Sequence, residues 1–262
     1  MVGPDADVGF VEVADRCWLA RTAVPDLNVG LVGGERGLLV VDTGADPATA
    51  RDLVERIRGL GAGDVVAVVN THGHAGHTSG NAVLSEAYDA AAVHAHEAAG
   101  VPAAETFSSA RVVDLGDRLV ELLHPGRGHS AGDAVIRVGD ADLLFAGDLV
   151  EGSATRGGVP GYGDDCFPMD WPATLDLLIG LLTPATTVLP GHGRPLGRDL
   201  VEEQRDAIGV VAETIRDLAG RGVPVQEALG GAQWPYPAEA LASAVRRGYE
   251  HLPRTSRTLP LI

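Results

Sequence analysis

The stretch "NTHGHAGHTSGN", Asn70 to Asn81, places three histidines within six positions, directly after the apolar run "DVVAVV". His72 and His74, one residue apart, can both reach a single ion from a tight loop, while His77 faces the other side. The H-x-H-x-x-H spacing reads as one half of a metal site. The position just before the last histidine, where a two-metal centre would need a carboxylate, holds Gly76.

Three later places repeat the theme of a ligand type directly after an apolar strand: His129 in "HPGRGHSAGD", Asp148 in "LLFAGDLV" and His192 in "TVLPGHG". Glycine borders each, letting the backbone turn sharply and approach a ligand closely. A lone histidine reads as a structural or surface residue. Four such strand-to-loop junctions in order, the first with three histidines, read as a metal site. Imidazoles with a carboxylate suit zinc, with iron or manganese as alternatives.

The first half alternates short Val- and Leu-rich runs with glycine turns: "FVEVA", "CWLA", "VGLVGG", "GLLVVDTG", "DVVAVVN", "AAAVHAH" and "ARVVDLG". Between them, "PATARDLVERIRGLG" reads as a helix entered at Pro47 and left through Gly59 and Gly61, and "SGNAVLSEA" as a short one. In the second half "RLVELLHPG", "DAVIRVGD", "DLLFAGDLV" and "TTVLPGHG" are strands and "DWPATLDLLIGLLT" a helix. From about residue 198 the pattern is helical throughout. No linker or low-complexity segment interrupts residues 1–262, so the expectation is one α/β domain with two sheets and outer helices.

The 262 residues can bury a substantial core, and 45% hydrophobic content is that of a soluble globular protein. Every basic residue is arginine, which reads as coding bias. A formal charge of −16 argues against a sequence-independent grip on nucleic acid and against anionic membrane surfaces. A small anionic substrate stays open, because a bound cation dominates its local field. The N-terminus lacks a basic region followed by an apolar one, so no signal peptide is expected, and no run approaches a membrane span. Cys17 and Cys166 form neither a disulfide framework nor a C-x-x-C pair, and a cytoplasmic protein with reduced thiols is the expectation.

In their order and spacing these residues resemble the metallo-β-lactamase-fold hydrolases, whose hallmark is H-x-H-x-D-H followed by a distant His, a bridging Asp and a final His. The likeness spans essentially the whole chain and includes "VVDTG" with Asp42, which in the family ends an early strand near the site. It implies a four-layer αββα sandwich of two mixed β-sheets with outer helices. It implies that His72, His74 and His129 hold a first metal, that Asp148 bridges, and that His77 and His192 help hold a second. Gly76 departs from the motif aspartate, so one well-occupied zinc per chain is expected, with a weak second site; iron is the alternative metal.

The leading functional expectation is a zinc-dependent hydrolase of a small ester, thioester, lactone or amide, with His77, His192 and Asp148 in the chemistry. A β-lactamase proper is disfavoured without an export signal. Two alternatives stay open. One is a mononuclear iron oxygenase of the persulfide-dioxygenase type, with His72, His129 and Asp148 as ligands. The other is a degenerate binding or non-hydrolytic biosynthetic protein. A small-molecule substrate is the expected partner, and a homodimer is compatible with the long C-terminal helices. Asp133 is the one acid considered as a stand-in for the missing aspartate. His94 and His96 read as a structural or exposed pair, His124 as a surface turn, and His251 as solvated. The loop "GGVPGYGDDCFPMDWP", 157–172, reads either as a cover presenting Tyr162, Phe167 and Trp171 to substrate or as a structural connection.

Overall fold

A computed structural model of the chain describes residues 8–22, 26–89, 91–102 and 105–252. Residues 1–7, on which the expectation about a leader rests, and the two extremes of the expected 1–262 domain lie outside the described residues.

The first sheet runs in spatial order β1 (Val8–Ala14), β2 (Cys17–Arg21), β3 (Asn28–Gly34), β4 (Gly37–Val41), β5 (Val65–Val69), β6 (Ala92–His96) and β7 (Glu105–Phe107). Pairing is antiparallel from β1 to β4 and parallel from β4 to β7. Parallel neighbours need crossovers. Helix α1 (Pro47–Leu60) supplies one between β4 and β5, and α2 (Ala75–Thr78) with α3 (Asn81–Ala87) the next. The second sheet is a meander of β8 (Ala110–Asp114), β9 (Leu119–Leu123), β10 (Val135–Val138) and β11 (Leu143–Gly147). Strand β12 (Thr187–Pro190) returns parallel to β11 through α4 (Trp171–Ile179). Helices α5 (Arg198–Gly220), α6 (Val225–Ala228) and α7 (Ala242–His251) follow, and after residue 198 every named element among the described residues is helical.

Strand alternation sorts these elements into four layers. On β3 and β4, Val29, Leu31, Leu38 and Val40 face α1 and pack with Leu53, Val54 and Ile57, while Val32, Leu39 and Val41 face the second sheet. On β11, Leu143 and Phe145 point between the sheets, and Leu144 and Ala146 pack with Trp171, Leu175 and Ile208 of α4 and α5. The result is the expected αββα sandwich of two mixed sheets. Its middle is tight: a Cβ on Gly30 would lie 2.1 Å from the Phe145 ring.

Local chemistry explains the joints. Asp46 caps α1 by accepting the N–H groups of Ala48 and Thr49, Pro47 opens the helix, and Gly61 closes it at φ 65°. Gly59, expected at the exit, lies inside the last turn. The three-residue β7 escaped the sequence reading, being too short to show a period.

This topology positions the site. Strands β4 and β5 are parallel, so Asp42 and the histidine loop leave the same edge of the first sheet. Strands β9, β11 and β12 all run the same way, two antiparallel steps separating β9 from β11, so His129, Asp148 and His192 leave one edge of the second.

Candidate metal centre

The two ends of the opening stretch hold each other. Asn70 Nδ2 donates to the His77 carbonyl at 3.0 Å, Asn81 Nδ2 donates to Asn70 Oδ1 at 2.7 Å, and Thr43 Oγ1 donates to Asn81 Oδ1 at 2.9 Å. The loop between them is thereby a fixed scaffold for three imidazoles. Buried Asn28, at the start of β3 in the first sheet, clamps the His192 loop of the second, Nδ2 donating to the carbonyls of Pro190 and Gly193 at 2.8 and 2.9 Å. Close approach requires glycine at 191: a Cβ there would sit 2.1 Å from Asp148 Oδ1 and 2.9 Å from His77 Cε1.

All six expected ligands converge. The nitrogens of His72, His74 and His129 form one group whose ligand atoms lie within 4.8 Å of one another, and His72, His77 and Asp148 form a second. His192 Nε2 lies 3.1 Å from Asp148 Oδ2. The second group contains His72, which sequence assigned to the first alone. One imidazole offers one lone pair at this face, so His72 cannot serve two ions at once. The ligands left for an independent second ion are His77, Asp148 and His192.

The outward nitrogen of every one of the five rings meets an acceptor, and this fixes the tautomers. His77 Nδ1 donates to Asp42 Oδ2 at 2.8 Å, His129 Nδ1 to the Gly161 carbonyl at 2.8 Å, His74 Nε2 to Asp165 Oδ2 at 2.9 Å, and His192 Nδ1 to the Asp26 carbonyl at 2.5 Å. Thr71 Oγ1 donates to Asp42 Oδ2, leaving its lone pair for the Nδ1–H of His72 at 3.1 Å. Each ring therefore turns its other nitrogen inward. His74 Nδ1 and His129 Nε2 then face each other at 2.9 Å, and His72 Nε2 and Asp148 Oδ1 are buried with no hydrogen-bond partner. A cation shared among these atoms resolves every one of these conflicts. The residues present fit a divalent metal.

Electrostatics agree. Burial, with neighbouring His77, holds His72 well below its usual pKa, and burial pushes His129 down to about 4, so both are neutral and able to ligate. For the buried pair His77 and Asp148, burial opposes charge on each. The carboxylates of Asp148 and Asp42 nevertheless raise His77, and His77 and His192 hold Asp148 well below the carboxylate range. The pair keeps a proton that a bound cation would displace.

Asp42 adopts φ 63°, a backbone conformation that aspartate tolerates better than most residues, and its carboxylate also accepts the Thr71 N–H at 2.8 Å. Sequence placed Asp42 near the site without seeing that it orients two rings. It did not single out Asp26, Thr71, Gly161 or Asp165. Backbone carbonyl acceptors leave no mark in sequence.

The other candidate residues take structural places. Asp133 cannot replace the missing aspartate: its carboxylate accepts the N–H groups of Ser130 and Gly128 and the Ser130 hydroxyl, and so shapes the loop carrying His129. Buried His94 and His96 belong to the strand interior, and His124 stacks on His96 with centroids 3.8 Å apart. Half-buried His251 stacks on Phe167, which also lies under Arg127, away from the cleft. Trp171 is fully buried, donating to the Leu149 carbonyl and packing beside His129. Only Tyr162 of the three loop aromatics lines the cleft. The loop's main service is to hold the imidazoles of His129 and His74. Cys166 is buried, and burial pushes its thiol up to about 12, as expected of a bystander.

The cleft over the cluster measures about 480 Å³ and is walled by Leu27, Gly76, Arg156, Gly161, Tyr162 and Gly163 around the ligands. A larger cleft of about 580 Å³ between α4 and α5 contains no cluster of metal ligands among the described residues. Among the described residues no helix is long and apolar enough to cross a membrane.

Comparison with known proteins points the same way. The family profile described as "Metallo-beta-lactamase superfamily" matches residues 26–192. A Bacillus cereus protein named "Metallo-beta-lactamase type 2" is 24% identical over 202 residues, 73% of this chain and 76% of that one. A Synechococcus "Hydroxyacylglutathione hydrolase" is 32% identical over 108 residues, 40% of this chain and 42% of that one. The solved metallo-beta-lactamase of Pontibacter korlensis superposes with a TM-score of 0.68 at 20% identity, covering 76% of this chain and 98% of the other, a likeness of fold.

Proposed function

The chain belongs to the metallo-beta-lactamase superfamily, and from that premise we propose that it is a zinc-dependent hydrolase of a small ester, thioester, lactone or amide. The observation that carries the proposal is the set of five inward-facing imidazole nitrogens around Asp148, with His72 Nε2 and Asp148 Oδ1 buried without a hydrogen-bond partner.

His72, His74 and His129 would hold the principal ion. When bound, a divalent cation polarises a substrate carbonyl and lowers the pKa of water to about 7. The chain's own groups do the remainder. His77 and His192 present Nε2 to the cleft with Nδ1 anchored, so each can take or return a proton at Nε2 without turning. Asp148 Oδ1, which has no hydrogen-bond partner and lies 3.4 Å from His77 Nε2, can orient a nucleophilic water. Leu27 and Tyr162 supply apolar walls for the substrate.

The test is elemental analysis of protein purified without chelators, followed by an ester and thioester screen. The reading expects about one zinc per chain, with hydrolysis lost on chelation and restored by zinc. Protein that binds no metal even after supplementation refutes it, and bound iron with oxygen consumption replaces it.

A further inference from the structure

An edge strand offers a row of unpaired N–H and C=O groups, and folds blunt such rows with short strands, bulges or a covering segment. Three of the four sheet edges here are blunted. Strand β1 breaks register twice, between Val8 and Val11 and between Glu12 and Ala14. Strand β7 has only three residues. Strand β12 is covered, because Val188 and Leu196 exchange backbone hydrogen bonds at 2.9 and 2.8 Å. Strand β8 differs. Its pairing with β9 runs without a shift from Ala110↔Leu123 to Asp114↔Leu119, and among the described residues no strand lies on its other side.

Which groups face outward follows from the two ends of the β8–β9 ladder. The His124 N–H donates to the Ser109 carbonyl at 2.8 Å, and the Leu115 N–H to the Arg118 carbonyl at 2.9 Å. Bonded pairs alternate in an antiparallel ladder, so Arg111 and Val113 turn their backbone groups to β9. Ala110, Val112 and Asp114 turn theirs outward. Among the described residues that row meets one partner, exposed Arg36, which donates to the Asp114 carbonyl at 3.4 Å. Side chains follow the same alternation. Val113 packs against the core between the sheets, while Val112 shares the outer face with Leu119, and the two are 54% and 59% exposed.

We infer that β8 pairs antiparallel with the β8 of a second copy of this chain, about a two-fold axis at Val112, so that the second sheet continues across a dimer. The row is self-complementary about that point. Val112 exchanges both bonds with its own copy, and Ala110 and Asp114 each exchange theirs with the other. On the outer face the exposed valines cover each other, and Asp114 lies beside alanine. On the inner face Arg111, paired with Glu105, lies beside valine. Other registers do worse. Centring on Arg111 sets two guanidinium groups opposite each other, centring on Asp114 two carboxylates, and like charges directly opposite destabilise a ladder. Centring on Ala110 or Val113 leaves part of the row unpaired. A two-fold contact closes on itself, so association stops at the dimer. Five residues a side is far below the roughly 20–30 of a standard interface, so the dimer is weak, with dissociation on the order of micromolar. The charge of −16 on each copy opposes association, and added salt should tighten it. The contact uses the sheet edge instead of the C-terminal helices, and it needs neither metal nor substrate.

The experiment is sedimentation equilibrium of the full chain from about 1 μM to about 200 μM, with amide hydrogen exchange read at Val112. A monomer–dimer equilibrium is expected, and the Val112 amide should exchange more slowly as concentration rises. Val112→Pro deletes an N–H that points away from β9, so it should weaken the dimer at least about tenfold and leave the melting temperature of the monomer unchanged. Val112→Lys and Val112→Glu should each be monomeric alone, and their equimolar mixture should dimerise, because opposite charges then meet on the axis. Wild type that stays monomeric throughout overturns the inference. A dimer that all three variants leave intact also overturns it, since its interface lies elsewhere. So does a Val112 amide protected equally at every concentration, which would put a segment of the same chain on the edge. Should Val112→Pro fail to fold, the mixture of the two charged variants decides.

Discussion

Asp42→Asn isolates how far the centre depends on a residue that never faces the metal cleft. The wild-type carboxylate is buried and accepts three donors, the Thr71 N–H, the Thr71 hydroxyl and His77 Nδ1–H, each at 2.8 Å. Asparagine has nearly the same shape and tolerates the positive φ of 63°, so backbone strain does not enter. Its amide offers only one acceptor oxygen. With that oxygen kept on the Thr71 N–H, the NH2 group opposes both Thr71 Oγ1 and His77 Nδ1. His77 relieves the clash by moving its proton to Nε2, which removes its lone pair from the cleft. Thr71 turns to accept from the amide, and its grip on His72 Nδ1 weakens. Losing such an outer hydrogen bond typically costs 10- to 100-fold in metal affinity, about 1.4–2.8 kcal/mol. One donor left imperfectly paired adds about 1–3 kcal/mol of instability. Competition against a chromophoric chelator reads the affinity, and nitrogen NMR of the imidazoles reads the tautomer. Zinc affinity within threefold of wild type, with His77 still protonated at Nδ1, would refute the account of how the rings are oriented.

Two further outcomes follow from the same geometry. Gly191→Ala places a methyl 2.1 Å from Asp148 Oδ1, so the carboxylate must move; hydrolysis should fall by at least about tenfold while the melting temperature changes little, and unchanged hydrolysis would contradict the close packing of these loops. His94 sits in a strand with its pKa pushed down to about 4 by burial first and Arg111 second. A depressed histidine contributes stability that is full above its unfolded value of 6.5 and lost as pH falls through about 4. The full linkage is about 3 kcal/mol, and screening at a sheet margin brings the expected difference to about 1–2 kcal/mol. Urea unfolding at pH 7 and pH 4.5 should therefore show a smaller acid loss for His94→Leu than for wild type; equal losses would clear His94 of this role.

The ligands were legible in the sequence because each follows an apolar strand and sits beside glycine, and strand ends carry a directional signal that a single chain displays. The layers were legible because Val29 to Val32 and Leu38 to Val41 fill both faces of a sheet. What was hidden depends on partners far along the chain. Asp165 looks like any loop acid until the fold brings it to His74, and Asp133 looked free until Ser130 and Gly128 closed on it. His94 and His96 read as a structural or exposed pair, because a two-residue period does not say which face is covered, and both are buried. The loop of Phe167 and Trp171 read equally as a cover over substrate or as a structural connection; Phe167 stacks on His251 and Trp171 donates to the Leu149 carbonyl, so both serve the connection.

The candidate ligands divide between the two sheets: His72, His74 and His77 hang from the first, and His129, Asp148 and His192 from the second. An ion held by both sets is a cross-link between halves of the polypeptide that are distant along the chain. In the unfolded ensemble, tying such points together removes a large share of chain entropy, and that cost rises only slowly with loop length. The metal would accordingly act on the protein as a rivet through the sandwich as well as a reagent. Its removal should loosen the edge where the two sheets meet before it disturbs the helices outside, and hydrogen exchange along β5 and β11 would report that sequence of events.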